Sequence, residues 1–261
     1  MILDDIVEKK KKRLEENGFN FNIDKFYEKI KSTPIPSFYD AVKKDGLSII
    51  GEIKKASPSR GIIKKDFNPE KIAVCYEKCV DAVSVLTEND FFMGHRDYLN
   101  MVHKKINLPL LMKDFFISPM QIIEARCIGA SAVLLIVSIL KEKYILKDYI
   151  KLIKGLQMDA LVEIHNEYEL NTAIEAGADI IGINNRNLND FSEDINTTLY
   201  LSQKVPKEVL IISESAIHTK DDIKTIKSCK VNGILVGESF MKSENIELKA
   251  KEFKNAYERQ D

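Results

Sequence analysis

A carboxylate and an ammonium group lie two residues apart in the stretch SIIGEIK, where Glu52 and Lys54 close a short apolar run. Residues i and i+2 of a β-strand point to the same side of a sheet, so these two side chains would share one face. An acid beside a base is suited to proton transfer, because one group donates the proton and the other accepts it. The pair therefore predicts a catalytic or binding site at the end of this strand.

Polar residues also close most of the other short apolar runs in the chain. They are Glu88, Lys113, Asp114, Glu163, His165, Asn184, Arg186, Glu214, Ser215, Gly237 and Glu238. One buried ion pair has a purely structural explanation, since a buried charge needs a partner. A series of ionisable groups at successive strand ends is better explained by a shared functional site.

Eight apolar, β-branched runs are the elements that must position these groups. They begin at Ser48, Asp81, Leu108, Ser131, Met158, Asp179, Glu208 and Asn232. The segments between them have helical spacing and helix-start residues, as in SPMQIIEARCIGA, where Ser118 is a candidate N-cap. This alternation predicts a parallel sheet with right-handed crossovers.

Eight strand–helix units predict an α/β fold of the (β/α)8 TIM-barrel type, whose active sites form at the carboxyl ends of the strands. An open doubly wound sheet is the structural alternative, but the turn KASPSRG after the first strand lacks the GxGxxG pattern. We expect a single domain over residues 1–261, in which residues 1–47 form an N-terminal helical extension packed on the barrel. The basic run 9–13 is expected to be a solvated face of the first of its two helices.

Composition and charge exclude several other classes of protein. The 39 basic and 40 acidic residues give a net charge of −1, which is not typical of a nucleic-acid-binding protein. No run approaches the ~18 apolar residues of a membrane span, and no signal peptide is evident, so a cytoplasmic protein is expected. The four cysteines lack zinc-ligand spacing and are expected to be buried, reduced thiols. No feature indicates an obligate protein partner.

The substrate class follows in part from the last two strand ends. Loops at these places in such barrels commonly bind phosphate through backbone N–H groups, and here they read ESAIHT and VGES. Lys54 and Arg186 would add positive charge, so a phosphorylated small molecule is expected. Phe91, Phe92 and Phe115 are candidates for a wall around an apolar part of a ligand, although packing among the loops explains them equally well.

Taken together, eight strings in order resemble the indole-3-glycerol-phosphate synthase family of tryptophan biosynthesis. They are GEIKKASPSRG, VSVLTENDFFMG, LPLLMKDF, QIIEARCIGASAVLLI, LVEIH, IIGINNRNL, ISESAI and ILVGESFM. The resemblance covers nearly the whole chain. It implies conversion of 1-(2-carboxyphenylamino)-1-deoxyribulose 5-phosphate to indole-3-glycerol phosphate with loss of carbon dioxide and water, and without a metal or organic cofactor.

The resemblance also implies roles for the strand-end residues. Lys113 would be the general acid, with a pKa lowered by desolvation in a cation-rich site. Lys54 would hold the substrate carboxylate or phosphate and assist proton transfer, and Glu163 would act in the dehydration as base or proton shuttle. Glu52 would orient the lysines and stabilise positive charge on the intermediate. The expected substrate-binding residues are Ser57, Phe92, Phe115, Asn184, Arg186, Glu214, Ser215, Ala216, Gly237 and Glu238.

Two positions depart from the family pattern. Ala216 stands where the family usually has glycine, and a positive φ there would cost roughly 1 kcal/mol and at most weaken phosphate binding. Met112 stands where many members have arginine, but it should alternate away from Lys113 and have little effect.

Two other functions are weighed against this one. A sister phosphosugar barrel would carry different groups: phosphoribosylanthranilate isomerase a Cys/Asp pair at strands 1 and 5, and a ribulose-phosphate epimerase metal-binding His and Asp. Glu52, Lys54 and Glu163 occupy those strand ends instead. A non-catalytic barrel would be expected to lack such strand-end charges.

Overall fold

The polypeptide forms a closed parallel barrel in a computed structural model that describes residues 2–18, 30, 34–188, 190–229 and 231–258. Its eight barrel strands are β1 (Ser48–Ile53), β4 (Ala82–Leu86), β5 (Leu110–Lys113), β6 (Ala132–Ile136), β7 (Asp159–Ile164), β8 (Ile180–Asn184), β9 (Leu210–Glu214) and β10 (Gly233–Val236). A short hairpin of β2 (Ala56–Ser57) and β3 (Gly61–Ile62) follows β1. β1 pairs with both β4 and β10, which closes the ring and confirms the predicted barrel over the open sheet.

Helices connect successive strands around the outside of the barrel. They are α1 (Ile2–Asn17), α2 (Phe38–Val42), α3 (Pro69–Tyr76), α4 (Arg96–His103), α5 (Pro119–Cys127), α6 (Val137–Leu140), α7 (Lys143–Gly155), α8 (Glu167–Ala176), α9 (Asn196–Ser202), α10 (Lys220–Lys227), α11 (Glu238–Met241) and α12 (Ile246–Glu258). The Ser118 side chain caps α5 in a capping box with Gln121, as its position before the helix predicted. Within the described ranges, no helix is long and apolar enough to cross a membrane.

The alternation of side chains along β1 decides which groups enter the barrel. Gly51 faces the helix layer, where a Cβ would lie 2.8 Å from the ring of Tyr76. Tyr76 in turn donates a hydrogen bond to the Glu52 carbonyl at 3.0 Å. Glu52 must therefore point inward, together with Ile50, which belongs to the apolar cluster that fills the barrel. The predicted two-residue periodicity of this strand is confirmed.

The N-terminal helix α1 lies across the loops after β4 and β5. Lys10 is 4% exposed and forms an ion pair of 2.5 Å with Asp114. Arg13 forms a second ion pair, of 2.6 Å, with Asp90. The prediction that the whole basic run is a solvated face was therefore wrong for Lys10, because the inward face of this helix meets a buried carboxylate.

Two other expectations have mixed outcomes. The predicted second helix of the extension falls on residues 19–33, which lie outside the described residues except for residue 30. None of the four cysteines forms a disulfide in the part of the chain that the structure describes; Cys229 is buried as expected, whereas Cys75, Cys79 and Cys127 are only partly buried.

Candidate active site

A cavity opens at the carboxyl ends of the barrel strands and is lined by most of the residues that the sequence singled out. Those residues are Glu52, Lys54, Ser57, Phe92, Lys113, Phe115, Glu163, Asn184, Arg186, Ser215, Ala216, Gly237 and Glu238. Glu214 lies just behind the cavity wall, with a side chain that is 0% exposed, and it contacts Lys113. The barrel thus brings residues from seven strand ends into one place.

Lysines and carboxylates alternate at the floor of this cavity. The Lys113 Nζ lies 2.7 Å from the Glu214 Oε2 and 3.6 Å from the Glu52 Oε1. The other Glu52 oxygen lies 2.5 Å from the Lys54 Nζ. Glu52 therefore bridges the two lysines, and each ammonium group is held by a nearly fully buried carboxylate.

Two glycines, which lack a Cβ, leave room for these carboxylates. A Cβ at Gly182 would lie 2.1 Å from the Glu214 Oε1, and a Cβ at Gly237 would lie 2.0 Å from the Glu52 Oε2. Each glycine thus provides the space for a carboxylate from a neighbouring strand. The sequence singled out Gly237 as a strand-end residue, but it did not indicate that either glycine accommodates a carboxylate.

The expected fall in the pKa of Lys113 is wrong. Burial by itself would lower this pKa, but the carboxylates of Glu214, Glu52 and Glu163 outweigh burial and raise the pKa above its ordinary value. The sequence suggested cations as the dominant neighbours, whereas the nearest charges are negative. Lys113 is consequently an ammonium throughout the physiological pH range.

The carboxylates respond differently to the same surroundings. Burial raises the pKa of Glu214 to about 7, although Lys113 pulls it down. Burial also acts on Glu52, but the ammonium groups of Lys54 and Lys113 prevail and lower its pKa. The site therefore contains one carboxyl group that exchanges its proton near neutral pH beside another that stays ionised.

Glu163 occupies the end of β7, opposite this lysine–carboxylate cluster. Its carboxylate is 3.4 Å from the His165 Nε2, and its side chain is 3% exposed. Burial would raise the pKa of Glu163, but the contacts with His165, Lys113 and Asn184 lower it. Glu163 is thus a carboxylate, the form that accepts a proton.

The loop after β9 combines positive φ angles with a buried hydrogen-bond network. Ser215 and Ala216 have φ of 62° and 57°. The buried Asn185 fixes this loop through its Nδ2, which donates to the Ser215 carbonyl at 3.2 Å and to the Glu214 carbonyl at 3.0 Å. The suspected backbone strain at Ala216 is therefore present. Asn185 itself was not predicted, since an asparagine beside Asn184 carries no separate signal.

Glu193 and His218 also line this end of the cavity, and the sequence analysis did not predict either of them. Arg186, on the loop after β8, forms an ion pair with Glu193 and lies 3.2 Å from the Ser59 hydroxyl. Glu193 accepts a second contact from the His218 Nε2 at 2.8 Å. This hydrogen bond with Glu193 raises the pKa of His218, because its effect is larger than the lowering caused by burial. Glu193 lies in an irregular loop, where no periodic pattern marks it.

Apolar side chains form the remaining wall. The rings of Phe92 and Phe115 are 6.0 Å apart at their centroids, and both line the cavity. Phe91 instead lies under the Lys9 ammonium, 5.3 Å from it, so it belongs to the contact with α1. Phe191 completes the wall from the loop after β8 with a φ of 61°, a conformation that the sequence did not predict.

Glu88 is the strand-end carboxylate that does not join the site. It is 1% exposed and accepts hydrogen bonds from the backbone N–H groups of Asp90, Phe91 and Phe92 at 2.9, 2.7 and 3.1 Å. Its function is to hold the turn that carries Phe92.

Comparison with known proteins connects this geometry to one family. A family model described as indole-3-glycerol phosphate synthase matches residues 3–253. A protein of that name from Thermoanaerobacter pseudethanolicus is 49% identical over 243 residues, which cover 93% of each chain. A protein of the same name from Clostridium acetobutylicum is 46% identical over 93% of this chain and 93% of its own. Another from Acetivibrio thermocellus is also 46% identical, over 97% of this chain and 99% of its own.

Solved structures with low sequence identity share the barrel. A 3-hexulose-6-phosphate synthase from Salmonella typhimurium gives a TM-score of 0.64 at 12% identity, over 81% of this chain and 98% of its own. A structure titled KGPDC from Streptococcus mutans gives 0.63 at 11% identity, over 82% and 98%. At this level of identity the likeness supports the fold alone.

Proposed function

The chain belongs to the indole-3-glycerol phosphate synthase family, and from that premise we propose the part that each side chain of the cavity takes in the reaction. The enzyme is a carboxy-lyase that converts 1-(2-carboxyphenylamino)-1-deoxyribulose 5-phosphate to indole-3-glycerol phosphate. A ring carbon attacks the C2 carbonyl of the sugar, carbon dioxide leaves, and loss of water completes the indole.

Lys113 protonates the C2 oxygen as the carbon–carbon bond forms. The observation that carries this assignment is the position of its ammonium between two carboxylates, 2.7 Å from Glu214 and 3.6 Å from Glu52, at the wall of the cavity. Its raised pKa makes it a weaker acid than free lysine, but it ensures that the proton is present. The alkoxide that develops at C2 is a far stronger base than a lysine amine, so the transfer remains favourable.

Lys54 and Glu52 act on the opposite charges of the reacting substrate. Lys54 lines the cavity and holds the substrate carboxylate until carbon dioxide leaves, because a charge-assisted hydrogen bond favours the ionised form. Departure of carbon dioxide leaves its bonding electrons in the ring and restores aromaticity. Glu52 carries a lowered pKa and stabilises the positive charge that the ring nitrogen gains.

Glu163 serves the dehydration step as base. The hydroxyl at C2 leaves with a proton as water, and the adjacent carbon must lose a proton for the double bond to form. Glu163 is suited to accept that proton because it is ionised and lies across the cavity from the lysines.

The sugar phosphate binds at the β9 and β10 loops. Ser215, Ala216, Gly237 and Glu238 line this end of the cavity, and their backbone N–H groups are the proposed donors to the phosphate. Asn184, Arg186 and Ser57 position the sugar portion, and Phe92 and Phe115 cover the aromatic ring of the substrate. We also propose that residues 1–261 form one domain with the extension 1–47, and that the enzyme works in the cytoplasm, as its biosynthetic role supports.

Replacement of the proposed acid tests this assignment. Lys113→Ala should lower kcat by about 10²–10⁴-fold, the usual contribution of a positioned acid, in an assay that follows indole fluorescence. Lys151→Ala, which removes an exposed lysine of α7, is the matched control and should retain wild-type turnover. Wild-type kcat in a folded Lys113→Ala variant would contradict the assignment.

A further inference from the structure

His165 is a titratable side chain at the end of β7 that the proposed steps leave unused. Its Nε2 lies 3.4 Å from the Glu163 Oε1, and its Nδ1 lies 3.1 Å from the Glu169 Oε2. The imidazole is 16% exposed, and each ring nitrogen lies near a carboxylate: Nδ1 forms a hydrogen bond with Glu169, whereas Nε2 is within ion-pair distance of Glu163 without hydrogen-bond geometry. Neither strand packing nor a helix cap requires a histidine here.

The outer contact fixes the ring to the start of α8. Glu169 accepts a hydrogen bond from the His165 backbone N–H at 2.8 Å as well as the contact from the ring. Asn166 holds Glu169 in turn, because its Nδ2 donates to the Glu169 Oε1 at 2.9 Å while its Oδ1 accepts from the Glu169 N–H at 2.9 Å. The imidazole therefore has little freedom to turn away from Glu163.

We propose that His165 is a positioning residue: as an imidazolium held by Glu169, it fixes the Glu163 carboxylate in its ionised, proton-accepting form for the dehydration. This inference rests on the proposed role of Glu163 as base. His165 is not among the residues that line the active-site cavity, whereas Glu163 is, so His165 acts through that carboxylate.

The electrostatic surroundings agree with the geometry. Burial would lower the pKa of His165, but its contacts with the two carboxylates raise it to about 10. The charged groups on neighbouring elements have both signs. Lys113 of β5 acts on Glu163, while Asp4, Lys141, Arg186 and Asp194 line the side cavity onto which His165 opens. The direct contacts of the ring are with carboxylates, which favour the imidazolium.

Replacing the His165 imidazole with a neutral amide tests whether its positive charge, rather than its hydrogen bonding, acts on Glu163. His165→Gln retains a group that donates a hydrogen bond but removes the positive charge. Loss of a cation within about 4–6 Å should raise the pKa of Glu163 by about 1–3 units. The acidic limb of the kcat–pH profile, where Glu163 gains a proton, should therefore move to higher pH by the same amount. KM should change less than about twofold, since His165 does not line the cavity.

Two measurements on the full-length enzyme make this decisive. The ¹³C titration of the Glu163 carboxyl, assigned by its loss in Glu163→Gln, reports the pKa without reference to turnover. The kcat–pH profile reports its effect on catalysis. His95→Gln, which changes the half-buried histidine that caps α4, is the matched control and should leave both unchanged. A circular dichroism spectrum verifies that each variant is folded.

The possible results distinguish a failure of the His165 inference from a failure of the proposed role of Glu163 as base. Movement of both the carboxyl titration and the acidic limb supports the inference. If neither moves in His165→Gln while Glu163→Gln is inactive, Glu163 keeps its role and the inference is overturned. If Glu163→Gln turns over like wild type, the proposed role of Glu163 is wrong and the inference fails with it, whatever the titration shows.

Discussion

At the scale of single residues, burial and neighbouring charges together shift the pKa values of the ionisable groups in the cavity. Lys113 and Glu214 are 2.7 Å apart, yet both have raised pKa values. The lysine gains from several carboxylates, whereas the glutamate is penalised by full burial beside them. The pair therefore retains protons into the neutral range, where a proton must be delivered to the substrate.

The raised pKa of Glu214 predicts how stability depends on pH. Its folded-state pKa of about 7 exceeds the ordinary value of 4.5, so between these pH values the native state binds more protons than the unfolded state. The free energy of unfolding should therefore fall as pH rises through this window, by about 3 kcal/mol at most from this group. Urea unfolding at pH 5 and pH 8 should show a smaller loss in Glu214→Gln than in wild type. Glu175→Gln, an exposed carboxylate, should show the wild-type loss, and an identical loss in all three would contradict this account.

Backbone strain at Ala216 makes a second prediction at this scale. Its φ of 57° favours glycine, so Ala216→Gly removes roughly 1 kcal/mol of strain, partly offset by the greater entropy of the unfolded chain. The free energy of unfolding should stay level or rise slightly. The matched control Ala256→Gly, within α12, should lose about 1 kcal/mol because glycine is a poor helix former. Equal losses in the two variants would show that Ala216 is unstrained.

At the scale of elements, α1 acts as a brace across two loops: the loop that carries Phe92, and the loop that begins at Asp114, directly after Lys113. The Lys10–Asp114 ion pair lies one residue from Lys113, and Asp114 also accepts a hydrogen bond from the Thr87 hydroxyl at 2.7 Å. The helix thereby connects the N-terminal extension to the residue that we assign as the general acid.

Removal of this brace should be costly. Lys10→Ala leaves the Asp114 carboxylate buried without its cation, and loss of one partner of a buried pair typically costs about 3–5 kcal/mol. Lys12→Ala on the same helix removes an ammonium that is 76% exposed and lies 3.9 Å from Glu16, so its cost should stay below about 0.5 kcal/mol. Denaturant unfolding of both variants compares them directly. Similar stabilities for the two would show that the Lys10–Asp114 pair does not brace the barrel.

The elements themselves were largely predictable because their causes are local. Strand alternation placed Glu52 and Lys54 on one face, and Ser118 caps the helix that it was expected to begin. Asn166 and Thr219 cap α8 and α10 through the same kind of side-chain hydrogen bond. The burial of Lys10 was not predictable, since helical periodicity identifies the apolar face but not which lysine on its border meets a buried carboxylate in a distant loop.

At the scale of the whole molecule, ring closure is what assembles the site. Glu52 and Glu214 are separated by 162 positions in sequence, yet both contact Lys113, because β1, β5 and β9 contribute to one barrel mouth. The sequence predicted which residues share this mouth from the fold and the family pattern. It did not predict the sign of the field at Lys113 or the Arg186–Glu193–His218 contacts, which depend on irregular loops and on side-chain directions within the barrel.

In the arrangement that we propose, this shared cavity holds the substrate with its reacting carbonyl at Lys113 and its phosphate at the loops after β9 and β10. A crystal structure with a substrate analogue whose C2 carbonyl is reduced to a hydroxyl tests it most directly. We expect the C2 oxygen within about 3 Å of the Lys113 Nζ and the phosphate on the backbone N–H groups of Ala216 and Gly237. A C2 oxygen directed away from Lys113, or a phosphate bound elsewhere, would contradict it.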